Sequence, residues 1–119
     1  MAAVERRRHK RIASLNLVNF SSYRDDVLTK QGMGRTINVS EDGIQLEIHS
    51  MIDQEDQLEL TIGFEDDIAE MKGRIVYCRE EEGGTFGLGV EFLDVGSDAL
   101  HILTRYVTHF RDLQDENGK

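Results

Sequence analysis

The sequence predicts a mainly all-β domain of six strands, arranged as an antiparallel barrel or sandwich and followed by one C-terminal α-helix. Three observations predict it. Apolar and polar residues alternate with period two through several short segments, the signature of half-buried strands. Turns bearing Gly, Asn and Asp separate those segments at regular spacing. After Gly96 the apolar period changes to three and four residues, which is helical.

The elements follow in order. Residues 12–20, IASLNLVNF, are rich in apolar and β-tolerant types and read as the first strand. GRTINVS, residues 34–40, reads as the second, introduced by a turn at Gly32-Met33-Gly34. In GIQLEIH, residues 43–49, Ile44, Leu46 and Ile48 share one face, and Gln45, Glu47 and His49 the other. QLELTIGF, residues 57–64, repeats the alternation with Leu58, Leu60 and Ile62. MKGRIVYCRE, residues 71–80, is the fifth strand. TFGLGVEFL, residues 85–93, is the sixth, with Phe86, Leu88, Val90 and Phe92 on one face. Ser97 then suits an N-cap. Leu100, Leu103, Tyr106, Val107, Phe110 and Leu113 form the apolar stripe of an amphipathic helix. The acidic runs 65–67 and 80–82 read as solvated loops.

Length and charge bound the function. A chain of 119 residues suits one domain with one core. Its 39% apolar and 31% charged residues predict a folded, soluble protein. There is no apolar run long enough for a transmembrane span, and the charged N-terminus lacks the apolar region of a signal peptide. The single cysteine, Cys78, excludes an internal disulfide and a multi-thiolate metal site. These features predict a cytoplasmic protein that engages no membrane. The net charge is −9, unevenly distributed. Residues 1–11 hold five basic groups against one acid, a net of +4, so the rest carries −13. A body that acidic repels nucleic acid, whose binding needs many cation–phosphate contacts. The basic arm points instead to a small anion or to docking on the body; a solvated tail is the plainer alternative.

Catalytic and metal patterns are absent. His9, His49, His101 and His109 show no HExxH spacing. Cys78, among apolar strand residues, reads as a buried, inert thiol. GLG at 87–89 is no dinucleotide fingerprint, because no helix follows it. The expectation is a binding protein without enzymatic activity and without a resident cofactor or metal.

Two stretches remain. The first is RRRHKR, Arg6 to Arg11, in which Arg7 and Arg11 stand four apart. Guanidinium forks suit paired acceptors such as phosphate oxygens or the O6/N7 edge of guanine, and can stack on purines. A flexible arm of this kind can wrap a guanine nucleotide, ordering as it binds. The second is NVSEDG, Asn38 to Gly43, which by itself reads as a turn between strands.

Together, RxxxR at Arg7 and Arg11 and [D/N]xSxxG at Asn38, Ser40 and Gly43 resemble the signature of the PilZ domain family. FGLGVEFLDV and the closing helix are similar to that family's last strand and C-terminal helix. The resemblance implies a six-stranded antiparallel β-barrel with a C-terminal α-helix. It also implies a bacterial receptor for the second messenger cyclic di-GMP. Residues 1–11 are then the arm, 12–95 the barrel, and 96–119 the helix and a short tail, all in one domain. Arg7 and Arg11 would contact guanine and phosphate, with Asn38, Ser40 and Gly43 on the barrel surface beneath. In the family an arginine before the first motif arginine accompanies two intercalated ligands, so Arg6 implies two molecules of cyclic di-GMP per protomer. Arg8 is a neighbour able to substitute in that register. Arg79 reads as a surface residue paired with an acid, and as a weaker candidate for a phosphate contact. A single domain of this type passes its signal to a partner protein that the sequence does not name. The alternative is a PilZ-like adaptor that binds a protein and no nucleotide.

Overall fold

The structure is a computed structural model, and it describes residues 17–117. Among the described residues the elements are β1 (Leu17–Arg24), β2 (Val27–Val39), β3 (Gly43–Ile48), β4 (Gln57–Phe64), β5 (Asp67–Glu80), β6 (Phe86–Leu93) and α1 (Ser97–Asn117). The strands close into an antiparallel barrel in the order β1-β2-β3-β6-β5-β4, with β4 pairing back on β1. The barrel is thus realised and the sandwich is not. Residues 12–16 of the first predicted strand lie outside the described residues.

Period-two alternation fills the barrel. On β4, Leu58, Leu60, Ile62 and Phe64 are buried. On β3 the buried set is Ile44, Leu46 and Ile48. The helix stripe closes the core: Leu103, Tyr106, Val107 and Phe110 are all buried, whereas Leu100 at the start of α1 is exposed. Tyr106 reaches across the core, its hydroxyl 2.9 Å from the hydroxyl of buried Thr36 on β2. Burial pushes the Tyr106 phenol above its usual pKa, with the Thr36 bond acting in the opposite direction. Phe64 packs edge-on to Tyr106, and Arg105 bonds Asp67 at 2.5 Å, tying α1 to the β4–β5 hairpin.

Two strand starts differ from expectation. β2 begins at Val27, so Gly32-Met33-Gly34 lies within a strand and makes no turn. Its glycines serve close packing. A Cβ on Gly32 would stand 3.3 Å from the Phe20 ring, and one on Gly34 3.0 Å from Ile48. The actual turn is Asp25-Asp26, both at positive φ (52° and 67°), the arrangement of a two-residue hairpin whose twist matches its strands. Aspartate tolerates that region better than most residues. β5 begins at Asp67, so the acidic run 65–67 is a two-residue turn plus the first residue of a strand.

A buried polar cluster pins this end of the barrel. Asp56 accepts hydrogen bonds from Ser22 (2.7 Å), Thr29 (2.8 Å) and Arg24 (2.8 Å). Arg24 also bridges to Asp53 at 2.7 Å. Burial raises the Asp56 pKa, but the three donors outweigh it and hold the carboxyl below its usual range.

Candidate functional site

Asn38, Ser40 and Gly43 come together at the β2–β3 connection, on the rim of an open groove of about 410 Å³. The local bonding explains why these residue types occupy the loop. Asn38 turns its Oδ1 to the N–H of Val39 (3.0 Å). The N–H of Ser40 donates to the carbonyl of Gly43 (2.9 Å), and the Ser40 hydroxyl accepts from the N–H of Asp42 (3.1 Å). The N–H of Phe92 on β6 donates to the Asp42 carbonyl (2.9 Å), so the loop is tied to the sheet. At Gly43 a Cβ would stand 2.3 Å from the backbone oxygen of Val90, so only glycine lets β3 approach β6 here.

Two β-bulges build the groove. On β2, Thr36 pairs with Leu46 and Asn38 with Gln45, leaving Ile37 as the extra residue. On β5, Ile75 pairs with Val90 and Tyr77 with Gly89, leaving Val76 extra. Each bulge flips the in–out parity of the residues after it. Thr36 and Ile75 face the core; without the bulges Asn38 and Tyr77 would face it too. Instead they join one outward row across four strands, Asn38–Gln45–Gly89–Tyr77. Gly89 leaves a gap in that row. The Tyr77 ring lies over it, so close that a Cβ on Gly89 would be 2.2 Å from Cε2.

The same parity change relocates two further residues. Cys78 is partly buried against the core, short of the full burial expected from its neighbours. The Arg79 guanidinium lies 4.3 Å from the centre of the Tyr77 ring, and among the described residues it forms no ion pair, contrary to the expected acidic partner. It lines a second groove of about 240 Å³ on the other side of Tyr77. The far wall of the first groove is Arg74, Val76, Tyr77 and Glu91. None of these was singled out for this groove by the sequence, because a bulge has no local sequence signal strong enough to announce it. Arg6, Arg7, Arg8 and Arg11 lie outside the described residues. No metal-ligating cluster occurs among the described residues, and none of their helices is long and apolar enough to cross a membrane.

The PilZ domain family model matches residues 5–109, a span that includes both motifs. The PilZ domain of YcgR from Escherichia coli, solved with c-di-GMP, superposes with a TM-score of 0.62 at 13% identity. That match covers 86% of this chain and 88% of the other. The Bacillus subtilis inhibitor of motility (MotI/DgrA) superposes with a TM-score of 0.61 at 12% identity over 82% of this chain. The chain spans about half the length of that protein, 48%. No curated protein matches in sequence.

Proposed function

The chain belongs to the PilZ domain family, and from that premise we propose that it is a cyclic di-GMP receptor that signals to a partner protein. The observation that carries this reading is the assembly of Asn38, Ser40 and Gly43 on one wall of an open groove faced by Tyr77. The groove offers what a guanine nucleotide needs. The Asn38 amide suits a guanine edge, the Ser40 hydroxyl suits polar ligand atoms, and the Tyr77 ring is an aromatic surface beside them. Arg7 and Arg11, with Arg6 and Arg8 beside them, supply the charge that the groove lacks, closing over the ligand as the arm docks. Arg6 supports two intercalated ligands per protomer. The resemblance of fold to a PilZ domain solved with c-di-GMP supports the ligand class. The function is that of a receptor, and the nucleotide is bound without turnover.

Calorimetric titration with cyclic di-GMP tests the proposal. The parent protein binds, and chromatography returns the nucleotide intact. Arg7→Ala and Arg11→Ala each lose about 1.5–3 kcal/mol of charge-assisted contact, roughly a tenfold to hundredfold drop in affinity. A parent that gives no binding heat contradicts the receptor reading and leaves the protein-binding adaptor. Arginine variants that bind like the parent contradict the assignment of the arm.

A further inference from the structure

Arg74 is the sole cation among the described residues that line the groove beside Asn38, Ser40 and Gly43, and it belongs to neither motif. It stands on β5 opposite Glu91 of β6, and Glu91 stands opposite Gly43 of β3. This row crosses the groove in two strand spacings, about 10 Å. Gly43 places no side chain in it, so the Ser40 loop and the Arg74–Glu91 pair face one another across a bare backbone.

The pair is bonded in a one-sided way. Glu91 Oε1 accepts from Arg74 Nε at 3.0 Å and from Nη2 at 2.5 Å. Both bonds end on the same oxygen, and Nη1 has no protein partner among the described residues. The two side chains are 62% and 49% exposed. Cross-strand pairs this exposed contribute little to stability and exchange readily. A phosphodiester or the O6/N7 edge of guanine presents two acceptors to the guanidinium fork, a better match than one carboxylate oxygen.

Resting on the cyclic di-GMP reading above, we propose that Arg74 is a ligand-binding residue on the far wall of the groove and that Glu91 restrains it. In the free protein Glu91 neutralises Arg74, so the pair offers an anion no net positive charge. The bound nucleotide takes the guanidinium from Glu91, so affinity is set by the competition between ligand and carboxylate. The two residues therefore act on binding in opposite directions.

Titration of the full chain with cyclic di-GMP, alongside thermal unfolding of each variant, tests this. Arg74→Ala weakens binding about tenfold, because it removes the cation and leaves Glu91 bare in the groove. Arg74→Lys falls between, since a point charge cannot replace the fork. Glu91→Gln tightens binding several-fold. The double variant binds better than Arg74→Ala alone. Melting temperature falls slightly and alike in Arg74→Ala and Glu91→Gln, because each breaks the same cross-strand pair; a purely structural role would move their affinities in one direction also. Parental affinity in Arg74→Ala, or weakening in both variants, overturns the proposal while the receptor reading stands. Glu91→Gln that fails to tighten overturns the restraint by Glu91. A parent that does not bind overturns both readings together.

Discussion

Gly43 shows how narrowly a single position is set. Its missing Cβ would press on the carbonyl oxygen of Val90, which is backbone and cannot rotate away. Gly43→Ala must separate β3 from β6, at about 1–3 kcal/mol of overpacking strain. The same shift moves the Ser40 N–H, which bonds the Gly43 carbonyl. Chemical denaturation should therefore show a loss of stability of that size, accompanied by weakened cyclic di-GMP binding; full stability in Gly43→Ala would mean that β3 and β6 tolerate the separation. Ser40 acts differently. Its hydroxyl already accepts from Asp42 within the loop, so it is oriented before any ligand arrives.

The sequence made most elements legible because their residues alternate. β4 matches its predicted span of 57–64, with buried Leu58, Leu60 and Ile62 as expected, whereas Ser97, expected as the N-cap, is the first helical residue of α1, and Gly96, whose carbonyl accepts from the Leu100 N–H, takes the cap position. β2 was legible only from Gly34 onwards. Its first seven residues, Val27 to Met33, are exposed on both faces, so they carry no alternation to read. The site was legible on one wall only. Asn38, Ser40 and Gly43 are neighbours in sequence, whereas Arg74, Tyr77 and Glu91 reach the groove through strand register and the bulge at Val76. A further element-scale consequence concerns the Asp56 cluster, which fastens β1 and β2 to the segment before β4. The Asp56 carboxyl titrates below its ordinary value of 3.8 in the folded chain, and Asp53 is lowered as well, first by the backbone N–H of Glu55 and then by Arg24. A depressed folded-state pKa stabilises the fold above the unfolded value and loses that contribution as pH falls through the folded one. The melting temperature should drop as pH goes below about 4. Asp56→Asn should lower it at neutral pH and flatten the acid-side drop; a variant with the parental acid profile would show that Asp56 does not carry this dependence.

At the scale of the whole molecule, the barrel is an acidic body, and the described lining of the groove beside Asn38, Ser40 and Gly43 holds a single, already neutralised cation, Arg74. In the proposed function, the charge that attracts an anionic dinucleotide comes from the arm, at Arg6, Arg7, Arg8 and Arg11. Binding, as proposed, is a meeting of these two parts, with the arm closing over the Asn38–Gly43 rim and changing the surface a partner protein reads. Amide hydrogen exchange with and without cyclic di-GMP tests this most directly, because it reports both parts at once. Ligand should raise protection in residues 6–11 and 38–43 and leave the β4 strand, 57–64, unchanged. Binding that leaves 6–11 and 38–43 as they were in the free protein would contradict it.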